Sequence, residues 1–302
     1  MSRKIWYQGE IKKYEDVKVT LLTHTLQYGS GIFEGIRAYK TDDGTAIFRL
    51  KDHIERFFNS AKILRINLGF TVDELIDATV KVVKENGFES CYIRPFAFHE
   101  SDGIGVKPKT DDIRVAIIAV PFGKYLGDKS VNGIRAKISS WKRINSDVLS
   151  VQAKATGNYL NSVLASSEAM DGGYDEAILT SHSGYLAEGP GENIMLVKNG
   201  RLITPGIESD ILLGITRYSI IDLSESLGIP VSERHVHKDE LFTADEVFFC
   251  GTAAEITPVV NVDNIEIGNG RVGPITSKLM QEYANVTAGR NKKFNKWLTY
   301  VK

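Results

Sequence analysis

Ile194-Met195-Leu196-Val197-Lys198-Asn199-Gly200-Arg201-Leu202-Ile203-Thr204 consists of two apolar runs joined by Asn-Gly. Asn-Gly suits a two-residue turn with positive φ at both central positions, so this stretch predicts a β-hairpin. A hairpin joins antiparallel strands, whereas a doubly wound parallel sheet needs a crossover after each strand. Working outward, Cys91–His99 and Ile113–Pro121 also read as strands. Helical spacing appears over Lys51–Leu64, where Ile54, Phe57, Phe58, Ala61 and Leu64 share a face. Thr71–Asn86 opens with the capping-box pair Thr71 and Glu74 and stops at Gly87. Further helices are expected near 157–170, 214–227 and 274–287. Helices interleaved with hairpin-connected strands predict an α+β fold. At 302 residues the chain exceeds what one core usually organises, so two domains are expected. Pro121-Phe122-Gly123-Lys124-Tyr125-Leu126-Gly127 interrupts the strand pattern as a linker would. The expected division is a small N-terminal α+β domain over 1–120, a linker over 121–132 and a large C-terminal domain over 133–302.

The balance of 42% hydrophobic and 25% charged residues is that of a globular protein with ample core material. A formal net charge of -1 argues against partners held by bulk charge, such as nucleic acid or an acidic membrane. The start, Met1 to Trp6, lacks the apolar core of a signal peptide, and the run Val115–Val120 is far too short to span a bilayer. A soluble cytoplasmic protein is expected. Cys91 and Cys250 lie in apolar runs without metal spacing and read as buried reduced thiols. His235 and His237 are the only close histidine pair; no third ligand is near, and no metal site is expected.

Four segments could carry chemistry. In Ala153-Lys154-Ala155-Thr156-Gly157-Asn158-Tyr159, small residues flank a lysine just before a helical run. Alone, this also reads as a surface lysine at a helix start. In Glu188-Gly189-Pro190-Gly191-Glu192-Asn193, glycines permit a tight turn and close backbone approach to a ligand, with Glu188 able to project a carboxylate. Alone, it reads first as a hairpin loop with solvated acids. Leu212-Leu213-Gly214-Ile215-Thr216-Arg217 enters a helix whose first N–H groups favour an anion, and Thr216 adds a hydroxyl. Cys250-Gly251-Thr252-Ala253-Ala254-Glu255 is a second Gly-Thr turn after a strand. On the N-terminal side Arg56 lies in the first long helix, and Arg37 follows Phe33-Glu34-Gly35-Ile36. Tyr92 and Arg94 share a strand face, a pairing that suits a carboxylate.

Taken together and in order, these segments resemble the class IV, fold-type IV, pyridoxal-phosphate aminotransferases, and among them the bacterial and archaeal branched-chain-amino-acid group. The resemblance runs from Gln27 to Thr287. It is carried by Tyr28-Gly29-Ser30-Gly31-Ile32-Phe33-Glu34-Gly35-Ile36-Arg37, by Tyr92-Ile93-Arg94-Pro95, and by the Lys154, Glu188, Gly214–Arg217 and Gly251–Pro258 segments. It implies a two-domain D-amino-acid-aminotransferase-like architecture with the cofactor, pyridoxal 5′-phosphate, at the domain interface. The implied activity exchanges the amino group of L-leucine, L-isoleucine or L-valine with 2-oxoglutarate. The small-molecule partners are then amino acids and 2-oxo acids, and the implied assembly is a homodimer or homohexamer.

The same resemblance implies residue roles. Lys154 is the Schiff-base lysine, and Glu188 faces the pyridine nitrogen. Arg56, Ile215, Thr216 and Thr252 hold the phosphate; Tyr159 lies near the ring oxygen, Leu212 under the ring, and Gly191 and Gly251 in the cofactor loops. Phe33, Gly35, Arg37, Tyr92, Arg94, Phe122, Tyr125, Thr252 and Ala253 form the substrate pocket. Tyr28 and Val106 reach a neighbouring subunit's site. Phe122 is a departure, since relatives often carry Trp there; Phe keeps an apolar wall but loses an N–H donor. Within the fold, a D-amino-acid aminotransferase or aminodeoxychorismate lyase is the alternative, although those typically lack the Tyr92–Pro95 and Gly105–Pro108 pairing. A non-catalytic protein that kept the fold is a third reading, opposed by intact Lys154 and Glu188.

Overall fold

The computed structural model describes residues 3–101, 103–109, 112–123 and 129–302. The chain forms two units, each built on its own sheet. The first comprises Met1–Phe122, Ala153–Asn158 and Val286–Lys302; the second comprises Gly123–Gln152 and Tyr159–Asn285. The expected C-terminal domain over 133–302 is corrected in two places. Residues 153–158 join the first unit because Phe33 N–H donates to the Lys154 carbonyl, and the amides of Thr156 and Gly157 donate to the carbonyls of Gly31 and Gly29. Residues 286–302 join it because the last strand, Leu298–Tyr300, pairs antiparallel with Gly44–Phe48.

The first unit contains β1 (Lys4–Tyr7), β2 (Glu10–Lys13), β3 (Ile32–Phe33), β4 (Ile36–Thr41), β5 (Gly44–Phe48), β6 (Cys91–His99) and β7 (Ile113–Val120). With the last strand at the β5 edge, the order continues β5-β4-β6-β7-β1-β2, and β3 pairs with β6. Every pairing is antiparallel. Besides α1 (His24–Tyr28), the unit has α2 (Leu50–Ile63) and α3 (Val72–Asn86), which pack Ile54, Phe57, Leu75 and Val82 against strand residues such as Ile36, Ile93 and Ile117. The Thr71/Glu74 capping box forms as expected and Gly87 closes α3 in the left-handed region.

Pro95 sits in the middle of β6, a central strand, where a missing N–H is normally excluded. Its partner side is the break between β3 and β4, where the Glu34 N–H donates to the Pro95 carbonyl. A residue's N–H and C=O point to the same side of an antiparallel strand. The missing donor therefore faces the notch where Glu34 and Gly35 leave the ladder.

The second unit contains β8 (Ile134–Lys142), β9 (Glu176–Thr180), β10 (Asn193–Lys198), β11 (Arg201–Pro205), β12 (Val231–Arg234), β13 (Glu246–Gly251), β14 (Glu255–Val262) and β15 (Ile265–Glu266). Their order is β12-β11-β10-β13-β14-β8-β9, with β15 on β14. The predicted hairpin is β10–β11, and its turn residues Asn199 and Gly200 have φ of 50° and 75°. The sheet is mixed: β11–β12, β14–β8 and β8–β9 are parallel. Helices α4 (Lys129–Asn132), α5 (Tyr159–Asp171), α6 (Ile215–Ser226), α7 (Glu240–Thr243) and α8 (Pro274–Thr287) complete the chain. Helix α5 is the crossover between β8 and β9, with Ala165 and Ala169 against Ala177 and Leu179. Cys91 and Cys250 are buried free thiols whose pKa values burial pushes up to about 12. Among the described residues no helix is long and apolar enough to cross a membrane.

Candidate active site

The backbone around Lys154 is pinned before its side chain is considered. Its amide donates to Ser60 Oγ on α2 at 3.0 Å, and its carbonyl accepts from Phe33 N–H at 3.0 Å. Asn158 Nδ2 closes the loop onto the Ala153 carbonyl at 3.1 Å. Gly29 ends α1 at φ 65°, and a Cβ there would lie 2.8 Å from the Gly157 Cα. Small residues at 29 and 157 are thus a packing requirement of the lysine loop. The Lys154 ammonium lies 5.0 Å from the Phe33 ring centroid.

Phe33 begins a run of stacked side chains in the same unit. The Arg94 guanidinium carbon lies 4.5 Å from the Phe33 ring centroid and 5.3 Å from that of Tyr92. Arg94 Nη2 also donates to the Tyr92 hydroxyl at 3.2 Å, while the buried Arg94 Nε has no hydrogen-bond acceptor among the described residues. The Tyr92 ring lies 5.0 Å from Phe122, over which the Arg37 guanidinium sits at 5.4 Å. A Cβ on Gly35 would fall 2.0 Å from the Tyr92 hydroxyl oxygen. Glycine at 35 therefore sets where that phenol can sit. Gly35→Ala is expected to displace Tyr92 and destabilise the fold by about 1–3 kcal/mol, as overpacking a filled site does. An unchanged denaturant midpoint in the purified variant would count against it.

Beneath this wall lies a buried charge cluster. The Glu34 side chain is fully buried, and its Oε1 accepts from Arg56 Nε at 2.7 Å. Oε2 accepts from Arg56 Nη2 at 2.9 Å, from His53 Nδ1 at 2.8 Å and from the Gly35 amide at 3.1 Å. Burial by itself would raise the Glu34 pKa; the Arg56 charge and the His53 hydrogen bond outweigh it and hold the carboxyl well below the usual carboxylate range. Burial lowers the His53 pKa, against the pull of Glu34 and with Arg56 and Lys154 adding to it. A neutral His53 donating from Nδ1 fits both facts.

The second unit carries the other group. Glu188 is 5% exposed, and its Oε1 pairs with Arg143 Nε at 2.7 Å. Its Oε2 accepts from Asn193 Nδ2 at 3.0 Å and from Leu212 N–H at 3.1 Å. Asn193 Nδ2 also donates to the Leu212 carbonyl at 2.9 Å, which ties Glu188 to the entry of α6. Gly214 caps that helix without any side-chain cap; a Cβ on it would strike Asn193 Oδ1 at 2.1 Å. Ile215 and Thr216, both buried, occupy the first turn of this 12-residue helix, with no acidic side chain there. Gly251 ends β13, and Thr252 and Ala253 form the tip between β13 and β14, followed by Glu255 at φ 53°. A Cβ on Gly251 would meet the Gly191 carbonyl at 3.3 Å, so the two glycine loops pack against each other. Tyr159 is the half-buried first residue of α5.

Residues 31–262 match the family model for amino-transferase class IV. The chain belongs to the class IV aminotransferases. Among curated relatives, the branched-chain-amino-acid aminotransferase of Pseudomonas aeruginosa is 44% identical over 299 residues, 99% of this chain and 97% of that one. Among solved structures, the branched-chain aminotransferase of Thermoproteus uzoniensis with norvaline superposes at a TM-score of 0.95, with 44% identity and all of both chains covered. A T.th. branched-chain amino acid aminotransferase with pyridoxamine 5′-phosphate gives 0.96 at 44% identity, covering 100% of this chain and 99% of that one.

The residues present fit the pyridoxal phosphate of class IV aminotransferases. The cofactor needs an amine, an anion for its ring nitrogen and donors for a phosphate. Lys154 is an amine on a loop held rigid from both sides. Glu188 is a carboxylate braced by the Arg143 charge and by two hydrogen-bond donors. Helix α6 opens at Gly214, which offers its first N–H groups no side-chain cap, and such a start favours an anion.

Within this class IV aminotransferase, the structure brings Lys154, Phe33, Gly35, Arg37, Tyr92, Arg94 and Phe122 together in one unit, and Glu188 and Leu212 in the other. Tyr28 and Val106 are exposed, at 40% and 76%; Tyr28 donates to the Ile104 carbonyl at 2.7 Å. Tyr125 lies outside the described residues. Sequence reasoning missed Ser60, Arg143, Asn193, Glu34 and His53 as site residues. Only α2 held a readable signal, because His53, Arg56 and Ser60 repeat at helical spacing one residue before the core positions Ile54, Phe57 and Ala61.

Proposed function

We propose that this chain transfers the amino group of L-leucine, L-isoleucine or L-valine to 2-oxoglutarate, with pyridoxal 5′-phosphate, giving branched-chain 2-oxo acids and L-glutamate. The observation that carries the reading is the Phe33–Arg94–Tyr92 stack beside the Lys154 amine. When bound, the cofactor supplies an electron sink at the substrate's Cα. Lys154 would hold the cofactor and, once its amine is free, would carry the proton from the substrate's Cα to the cofactor's C4′ in one half-reaction and back in the other. Glu188 would hold the ring nitrogen with its anionic carboxylate, and Leu212 and Tyr159 would hold the ring. Arg56, Ile215, Thr216 and Thr252 hold the phosphate, with Gly191 and Gly251 keeping the loops close. Phe33, Gly35, Tyr92 and Phe122 form an apolar wall for a branched side chain, with Arg37 and the Thr252–Ala253 turn orienting the substrate carboxylate.

Arg94 lets one pocket serve two side chains. With an apolar substrate its cation rests on the faces of Phe33 and Tyr92. With glutamate, its guanidinium gains the distal carboxylate as a charged acceptor. Arg94→Met is therefore expected to slow the glutamate half-reaction about ten- to a hundredfold, the worth of a charged hydrogen bond, and the leucine half-reaction less than about threefold. Single-turnover rates that fall equally for both amino acids would count against it. A substrate panel with 2-oxoglutarate as acceptor tests the function itself. Absence of turnover on leucine, isoleucine and valine, with turnover on D-amino acids, would overturn it.

The working assembly is a homodimer or homohexamer in the cytoplasm. The reading is supported by an exposed apolar surface on the first unit, where Leu21, Leu26, Ile104 and Val106 are between 63% and 86% exposed. Tyr28 and Val106 would there reach the neighbouring copy's site.

A further inference from the structure

We infer that Glu34, backed by His53, is a positioning residue that sets the plane of the Arg56 guanidinium for the phosphate of the cofactor. This rests on the pyridoxal phosphate reading above. An ionised carboxylate only accepts, and here four N–H groups donate to it, one to Oε1 and three to Oε2: two from Arg56, one from His53 and one from the Gly35 amide. The two Arg56 bonds form the parallel fork that fixes a guanidinium in one plane and one rotation. Arg56 keeps 13% of its side chain exposed while Glu34 keeps none, and the fork holds the Nε–Nη2 edge of the guanidinium.

A purely structural role is a poor account of this cluster. A buried ion pair adds little net stability over apolar residues of the same volume, because desolvation offsets the attraction. The location is also specific. Glu34 drops into the notch opposite Pro95, the one place in β6 where the ladder lacks a donor. From α2, His53 and Arg56 reach Glu34, and Ser60, on the same stripe, holds the Lys154 amide. One helix face thus registers Arg56 against the backbone of the lysine.

The test compares pyridoxal phosphate with pyridoxal, which lacks the phosphate, as ligands of the full-length apoenzyme. In Glu34→Gln, the amide nitrogen faces an Arg56 N–H whichever way it is turned. The affinity for pyridoxal phosphate is expected to fall about ten- to a hundredfold, with that for pyridoxal changed less than about twofold. In Arg56→Lys the fork is already gone, so adding Glu34→Gln should change the ratio of the two affinities little further. Should Glu34→Gln fail to fold, His53→Leu is expected to lower the ratio and His53→Asn, which keeps a donor near the Nδ1 position, to restore it. A wild-type ratio in folded Glu34→Gln, or in His53→Leu, overturns the inference alone. Wild-type protein that binds no pyridoxal phosphate overturns both it and the proposed function.

Discussion

Lys154→Ala is expected to lower the rate of leucine–2-oxoglutarate transamination by about 10²–10⁴-fold or more, the range for removing a positioned general base. The fold should survive. The Lys154 amide and carbonyl carry the loop's hydrogen bonds to Ser60 and Phe33, and both remain in an alanine variant. What disappears is the amine above the Phe33 ring. The measurement is single-turnover kinetics on cofactor-loaded variant, beside a peptide map of borohydride-reduced wild type. A variant within about tenfold of wild type, or a map placing the cofactor on another lysine, would remove Lys154 from the mechanism.

Glu188→Gln is the second large effect, and it acts on stability as well as turnover. Glu188 pairs with the Arg143 charge and accepts hydrogen bonds from the Asn193 amide and the Leu212 N–H. A glutamine at 188 must turn its own NH₂ toward one of them and leaves the buried Arg143, 8% exposed, without its counter-charge. Breaking a buried pair from one side costs about 3–5 kcal/mol, and denaturant unfolding reads that loss directly. Turnover should fall about 10²–10³-fold, as it does when a preorganised electrostatic partner is removed. Glu188→Ala/Arg143→Met, which removes both charges, should recover part of the stability and none of the turnover. A Glu188→Gln variant as stable and as fast as wild type would show that the carboxylate is neither braced as described nor used.

Local chemistry was legible wherever it acts over a few residues. Asn199-Gly200 can adopt positive φ cheaply, and the turn forms there. Thr71 and Glu74 lie one helical turn apart, and their reciprocal cap forms as the spacing demands. Tyr92 and Arg94 share a face because strands alternate, and their side chains meet. The order of motifs carrying Lys154 and Glu188 likewise sufficed to recognise the family, which the match over residues 31–262 establishes.

What the linear chain withheld depends on pairings between distant segments. Arg143 and Asn193 have no motif of their own; they matter because β8 and β10 bring them to Glu188. Glu34 looked like one more acid in a glycine-rich stretch until the β3–β4 break put it beneath α2. The division of the chain was hidden for the same reason. Residues 153–158 and 286–302 belong to the first unit through backbone hydrogen bonds, which any sequence can make. By itself the sequence determined the turns, caps, periodicities and family, all properties of short-range chemistry. The tertiary structure alone decided which donors surround Glu34 and Glu188, because a buried charge is tolerated only where the fold closes partners around it.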